Sequence, residues 1–452
     1  MNRDPLNILY VSQYFPPEVC APAVRVHGFA REWASRGHQV KVLTGFPNHP
    51  EGTLYPGFRA QWRRGFVRER GQGFNVYRTW LYPAANQRRW KRCANYASFA
   101  VSAALTGPWI ASRHGVVIGS SPQLLVAAAA YAIARIRGMP FVFEVRDLWP
   151  QSLVGVGATP EDSALYRGLD LIANHLYSRA DAVVVDGEWK RRQLVAAGVS
   201  EDKLKIVRNG VDGDFIAGLK IHTARGARDR VRREYGWSDR FVAMYVGTLG
   251  MAHGLETILK AAEQCKTTPR VLFVVIGEGA ERERLMARAR DLRLNNVRFL
   301  PRQPHASIPA FLLAADACLV LLRRAEVFKT AIPSKMFEAM AAAKPLVLGV
   351  EGEAKEILLN ADAGLAVPPQ DVGALARAVD RLWKERQLRQ RFGESGKRSV
   401  ETIYSHHQQT MTYLKILRET LARKRGLLAQ EVLPAYRLSV PAKVSKCSIT
   451  KP

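Results

Sequence analysis

Short apolar runs of strand length alternate with helical segments along most of the 452 residues, and no other feature restricts the fold as tightly. A strand that is followed by a helix and then by another strand returns parallel to itself, so such a chain builds parallel sheets covered by helices. The first series runs through "NILYVSQ", a helix from about Ala23 to Arg36, "HQVKVLT", "GVVIGSS", "PQLLVAAAAYAIARIRG", "PFVFEV", "SALYRGLDLIANHLYSRA" and "DAVVVDG". After the turn "RNGVDGDF", a polar stretch from about Lys220 to Arg240 precedes a second series through "FVAMYVGTLG", "GLETILKAAEQC", "VLFVVIGEG", "NVRFL", "ACLVLL" and "KPLVLGV". Two tandem α/β domains are expected, joined near residues 213–235, and the chain length also exceeds what one core supports. The last helical region, about Val372 to Leu421, is expected to return and brace the first domain.

Net charge is the compositional outlier, at +27. Nucleic acid, an anionic membrane and phosphorylated ligands are the three classes of partner that such a balance admits. Between Arg59 and Arg92 ten Lys/Arg face one acid, Glu69, and this block runs into the uncharged segment "CANYASFAVSAALTGPWIAS", Cys93 to Ser112. Its polar residues and its Gly107-Pro108 pair disfavour a spanning helix. Two readings stay open: a helix lying on a membrane surface through Tyr96, Phe99 and Trp109, or a buried helix of an α/β domain. From Arg423 the chain reads as a loosely ordered basic tail. Five scattered cysteines without ligand spacing signal neither a disulfide framework nor a zinc site, and the apolar stretch at the N-terminus is too short for a signal-peptide core. The expected location is the cytoplasm.

In open parallel sheets ligands sit beyond the C-terminal ends of the strands, where helix N-termini present N–H groups and positive dipole ends. "VGTLGMAHG" follows a strand and precedes a helix, and Gly247, Gly250 and Gly254 make it either a structural turn or a phosphate contact. "GEGAERERL", with Gly277, Glu278 and Gly279, admits the same two readings. In "AIPSKMFEAM" Lys335 falls in the first turn of a helix, with Ser334 as its expected cap. A cation beside a positive dipole end is electrostatically odd unless an anion joins them. Glu338, one turn on, is placed to accept from ribose or sugar hydroxyls, and "GEAKEI" offers Gly352 and Glu353 at the next loop. A solvated lysine and a glutamate that merely supports the helix are the plainer alternative. Asp212-Gly213-Asp214 reads as a turn more readily than as a metal pair, because these are turn-forming residues. Neither a nicotinamide fingerprint nor a Walker A motif is present.

In this order "YFPPE" (Tyr14 to Glu18), "RGHQVKVLTGFPNHPEG" (Arg36 to Gly52), "GSSPQ" (Gly119 to Gln123), "EVRDLWPQS" (Glu144 to Ser152), "VRNGVD" (Val207 to Asp212), "VGTLGMAHGLETIL" (Val246 to Leu259) and "IPSKMFEAMAAAKPLVLG" (Ile332 to Gly349) resemble a family 4 glycosyltransferase of the two-domain GT-B type. Within it the chain is most similar to the bacterial surface-polysaccharide branch that includes the fucosyl and N-acetyl-L-fucosaminyl transferases. The resemblance spans residues 7 to about 420 and implies two Rossmann-like parallel-sheet domains facing a central cleft. On it the acceptor-binding domain is residues 1–215, the nucleotide-sugar domain 216–395, the helix packing back 396–422 and the tail 423–452.

The implied activity is a hexosyl transfer from a UDP-sugar or GDP-sugar, with retention, requiring neither cofactor nor metal. The implied acceptor is a polyprenyl diphosphate-linked or other glycan at an anionic membrane surface, on the inner face of the cell membrane, with no nucleic acid as partner. By motif position Glu338 matches the ribose-holding glutamate of the E-x7-E motif, and Lys335 is expected at the diphosphate. Gly247, Thr248 and Gly250 match the phosphate loop, Gly277 the similar loop beside it, and Gly352 and Glu353 the loop near the transferred sugar. The chain departs from the family pattern in three places. Thr330 stands where the first glutamate of that motif falls, Arg146 or Asp147 where relatives carry a histidine, and His253 in a loop where many carry a basic residue. Asp147 is expected to position the acceptor or act as base, with Arg146 and Lys335 completing the catalytic set; a helix-capping aspartate is the alternative for Asp147. A non-hydrolysing sugar-nucleotide epimerase and a basic nucleic-acid-binding protein are the rival readings.

Overall fold

A computed structural model describes residues 4–18, 20–49, 51–84, 89–121, 123–155, 159–268 and 270–426. The basic tail expected from residue 423 lies outside the described residues beyond 426. The first sheet comprises β1 (Asn7–Val11), β2 (Gln39–Gly45), β3 (Phe66–Arg70), β4 (Asn75–Thr79), β5 (Val116–Ser120), β6 (Phe141–Val145), β7 (Ala182–Val185) and β8 (Leu204–Ile206). Their spatial order is β3-β4-β2-β1-β5-β6-β7-β8, and only the β3–β4 pair is antiparallel. The second sheet comprises β9 (Phe241–Val246), β10 (Val271–Ile276), β11 (Val297–Leu300), β12 (Ala317–Leu321), β13 (Leu346–Gly349) and β14 (Gly364–Ala366). It is ordered β11-β10-β9-β12-β13-β14, with parallel pairing throughout. These are the two parallel-sheet, Rossmann-like domains expected. Strands such as β5, β6 and β10 are buried along their whole length, which is why they read as continuous apolar runs without alternation.

The basic block was read as one surface feature, and the structure divides it. The hairpin β3–β4 runs through it, turning at Gly71–Gly73. Arg78 is a structural residue: its guanidinium is buried against Glu69 and the carbonyls of Gly45 and Pro16. Arg59, Arg63, Arg64 and Arg70 remain exposed. Up to Ile110 the uncharged segment lies in the helix Arg89–Ile110, one face of which is buried as the second reading expected. Phe99, Ala103 and Ile110 enter the first-domain core, so Phe99 is not an interfacial residue. On the opposite face Trp90, Val101, Leu105 and Trp109 stand exposed, Trp109 at 91%. Among the described residues no helix is long and apolar enough to cross a membrane.

The stretch from Lys220 to Arg240, taken as polar linker, is largely helical, in Gly213–Ala224 and Ala227–Glu234. Phe215, Leu219 and Val231 pack in the second-domain core, so the chain has already entered that domain before the boundary expected after residue 215. The Asp-x-Asp pair lies at this entry. Asp212 caps the helix Gly213–Ala224 by accepting from Asp214 N, and both carboxylates pair with Arg31.

The chain crosses back just before the helix His406–Lys424, whose Tyr413, Leu414 and Leu417 pack against Tyr10, Phe29 and Trp33 of the first domain. The preceding helix, Arg386–Thr402, stays with the second domain through Phe392 and Val400. Both crossings touch. Val211 N donates to Tyr404 O at 3.2 Å, and Arg208 N donates to Gln409 Oε1 at 2.8 Å. Arg25, from the helix Ala21–Ser35, reaches the same place, donating to Val207 O, Arg208 O and Asn209 Oδ1 while pairing with Glu144 at 2.9 Å. Glu144 also accepts from Tyr10 OH and Ser120 Oγ. Burial alone would raise its carboxyl; Arg25 and Arg146 hold it below the usual range instead.

Removing one partner of a buried ion pair strands the other. Arg25→Met is therefore expected to cost about 3–5 kcal/mol, read as an earlier unfolding transition in scanning calorimetry. Adding Glu144→Gln to the same chain should recover part of that loss.

Candidate active site

The strand ends of the two domains face each other, and a pocket of about 280 Å³ lies between them. Arg146 and Asn209 line it from the first domain; Thr248, Ser334 and Glu338 line it from the second. Lys335 reaches the same region from the first turn of the helix Ser334–Ala341. Its Nζ donates to Tyr245 OH at 2.9 Å and lies 4.2 Å from the centroid of that ring. Tyr245 OH in turn donates to Thr248 O at 2.8 Å, so the phenol fixes both the lysine and the loop after β9. The ammonium abuts that loop: a Cβ built on Gly247 would lie 2.9 Å from Lys335 Nζ.

Burial pushes the Lys335 ammonium down to about 7, with Glu338 opposing the shift. Burial likewise pushes the Glu338 carboxyl up to about 7, opposed by Lys335 and reinforced by Asp212. Among the described residues no other ion pair meets either charge at this helix end. The pair is poised between charged and neutral forms, a condition characteristic of sites completed by a ligand. His253 is pushed down to about 4 by burial and by Lys335, so its imidazole is neutral at physiological pH. Its Nδ1 lies 3.4 Å from Leu321 O, and its ring meets Tyr245 edge-on.

Several expected residues have other duties. The N-cap of the helix Ser334–Ala341 is Pro333, with no side-chain capping bond; Ser334 is its first residue, and its side chain faces the pocket. Gly277, at φ +146°, is required by packing, since a Cβ there would lie 1.9 Å from Gly247 O. Gly352, at φ +77°, is required by Lys329 O in the same way. Gly250 is extended, at φ −110°, and a Cβ there would make only ordinary van der Waals contact with Thr248 and His253. Glu353 spans the cleft: it accepts from Glu188 N at 2.7 Å and Trp189 N at 3.0 Å, capping the first-domain helix Glu188–Ala196. Glu356 accepts from Trp189 Nε1 at 3.0 Å beside it. Thr330 is buried and donates to Val327 O, a local bond that leaves no carboxylate in that place.

Arg146 is half-buried at the pocket wall, 3.4 Å from Asn209 Oδ1. Asp147, the next residue, is exposed and faces a second, larger cavity of about 870 Å³. Tyr245, Arg25, Glu144 and Trp149 had not been singled out. Glu144 had a signal in the sequence, since a carboxylate inside the apolar strand "FVFEV" requires a buried partner.

Residues 21–210 match the Glycosyl transferase 4-like domain, and residues 227–399 match Glycosyl transferases group 1. A relative from Escherichia coli K12 named "Putative colanic acid biosynthesis glycosyl transferase WcaI" is 27% identical over 361 residues, covering 77% of this chain and 85% of its own. "Probable glycosyltransferase WbjE" of Pseudomonas aeruginosa is 30% identical over 297 residues, covering 64% of this chain and 70% of its own. Among solved structures, Anabaena HepE in complex with UDP superposes with a TM-score of 0.67 at 17% identity, over 92% of this chain and 100% of that one. WaaG, a glycosyltransferase of lipopolysaccharide biosynthesis, superposes with a TM-score of 0.65 at 15% identity, over 91% and 99%. With its fold, both of its domain matches and relatives of this similarity in agreement, the chain belongs to the group 1 glycosyltransferases of the GT-B fold.

Proposed function

We propose that this protein moves a sugar from a nucleoside diphosphate sugar to a glycan acceptor, with retention, in cell-surface polysaccharide assembly. The carrying observation is the Lys335 ammonium at the tip of the helix Ser334–Ala341, against the Gly247 loop, with Arg146 on the facing domain. Cleavage of the bond between the anomeric carbon and the diphosphate leaves negative charge on the departing nucleoside diphosphate. Prearranged donors aimed at that charge lower the barrier, and losing one typically costs about 10²–10³ in rate. Lys335, Arg146 and the helix N-terminus are such donors. The new bond joins the acceptor oxygen to the same carbon, and Asp147 is the group we assign to orient that hydroxyl or take its proton. Glu338 is assigned to the ribose hydroxyls, and Gly247, Thr248, Gly250, His253, Gly277, Ser334 and Gly352 to the walls of the donor site, with Glu353 holding the facing domain in place beside them.

UDP is the proposed carrier, with GDP as the competing arm of the test, and fucose or N-acetyl-L-fucosamine the proposed sugar. The relatives' names, one for colanic acid biosynthesis, support the polysaccharide setting. The exposed row Val101, Leu105 and Trp109, together with the exposed Arg59, Arg63 and Arg64, supports docking on an anionic membrane carrying a lipid-linked acceptor, at the inner face of the cell membrane.

Calorimetry against UDP and GDP tests the donor site. Wild type is expected to bind one of them, and Lys335→Ala to bind about 10- to 100-fold more weakly. At pH 8 the free Lys335 amine is mostly neutral and a bound diphosphate favours its ammonium. Binding should therefore take up close to one proton, detected by comparing buffers of different ionisation enthalpy, and affinity should fall as pH rises above about 7. Lys335→Ala should abolish the uptake. Asp147→Asn should keep nucleotide affinity and lower the rate of sugar release from the donor by about 10²-fold or more. Co-sedimentation with phosphatidylglycerol vesicles should be lost in Leu105→Ser/Trp109→Ser and weakened by salt, while neutral vesicles should bind neither protein.

A further inference from the structure

We infer that the larger cavity, beyond Asp147, holds the acceptor by an uncharged sugar at its end, stacked against Trp149. The inference rests on the transfer reaction proposed above and concerns its other substrate. The cavity is of the size that encloses a small organic ligand, and both domains form it. The first domain supplies Asp147, Trp149, Ser152, Asp170 and Trp189, and the second supplies Phe328.

Two polar atoms in this wall are unfinished. Trp149 and Ser152 line this cavity, and Trp149 Nε1 and Ser152 Oγ, closed off from solvent just behind its surface, have no hydrogen-bond partner among the described residues. Buried polar groups are nearly always paired, so an unpaired donor and an unpaired hydroxyl behind one cavity wall point to a ligand that reaches them with its own polar groups. The aromatic faces of Trp149, Trp189 and Phe328 offer flat apolar surface beside them, which suits a ring having one apolar face and a rim of hydroxyls.

Charge narrows the class further. Both lysines in the wall are already neutralised: Lys190 by Asp186 at 2.5 Å and Lys329 by Glu326 at 2.8 Å. Asp147 and Glu161 have no ion-pair partner among the described residues, and Asp170 accepts only from Asn174 Nδ2. Free carboxylates accept from sugar hydroxyls and repel phosphate or uronate. The cavity therefore contrasts with the pocket around Arg146 and Lys335, where the cations lie. A carrier lipid bearing only phosphate does not suit this wall. The acceptor must already hold a sugar, so a reaction that attaches a first sugar to its carrier precedes this one.

The test uses the full chain saturated with UDP and a panel of neutral methyl glycosides of hexoses and N-acetylhexosamines, with glucose 1-phosphate and glucuronate as charged counterparts. Saturation-transfer NMR and tryptophan fluorescence report binding. At least one neutral glycoside is expected to bind and the charged sugars to bind more weakly or not at all. Trp149→Ala should weaken the neutral ligand by roughly fivefold or more, and Trp149→Phe, which keeps a ring and loses the N–H, should fall between. Preference for a charged sugar, no binding of any neutral glycoside, or unchanged binding by both variants would overturn the inference. UDP calorimetry on the same preparations separates the failures: loss of UDP binding by wild type strikes the donor site, whereas UDP binding without glycoside binding strikes the cavity.

Discussion

The buried ion pair between Arg25 and Glu144 is the contact on which the geometry of the cleft depends. Glu144 lies in β6, and Arg146 and Asp147, just after that strand, are among the first domain's contributions to the two cavities. The other side of the Arg25 guanidinium holds the carbonyls of Val207 and Arg208, where the chain leaves for the second domain. One side chain thus ties the strand end before Arg146 and Asp147 to the strap that sets where the opposite half sits. The return crossing is laid along the same strap. Gly210 lets them meet, since a Cβ there would come within 2.9 Å of Tyr404 O. Two straps in contact restrict relative motion of the halves more than either would alone.

Against that frame the second domain presents a site that is electrostatically incomplete. A lysine has been desolvated at the positive end of a helix, and a glutamate one turn later has been desolvated without a donor. Each charge is costly there by itself, and their mutual attraction relieves only part of the cost. An anion with hydroxyl groups answers both at once, which a plain anion or a plain polyol does not. The proposed donor has this outline, with phosphate assigned to the lysine and ribose to the glutamate.

Much of the architecture was legible because parallel strands buried on both faces must be apolar throughout, and their helices must separate them. The hairpin Phe66–Arg70 and Asn75–Thr79 was not, because its alternation is written in arginines within a strongly basic run. The helix Ala227–Glu234 was hidden in the same way, since its buried side is only Ala227, Val231 and an arginine, Arg232, whose guanidinium is buried against Asp316. In the site, Lys335 and Glu338 stood out because a cation at a helix N-terminus violates a local rule. Tyr245, which positions that cation, obeys every local rule for a strand and becomes visible only when Lys335 lies over its ring. Glu353 shows the reverse: its loop was recognised, but the backbone it caps lies 165 residues away in sequence for Glu188 and belongs to the other domain. Pairings of that range are set by how the domains dock, which neither spacing nor composition encodes.

The Glu353 carboxylate has a kinetic consequence. Helix capping by a carboxylate is worth about 0.5–2 kcal/mol, and here the cap and the helix sit on opposite jaws. Parting the jaws breaks two such bonds and the one from Trp189 to Glu356, then lets water replace them. A gap of a few kcal/mol leaves a minor conformer populated at roughly 0.1–10%. Any opening of the mouth along this edge is therefore coupled to the release of those three bonds.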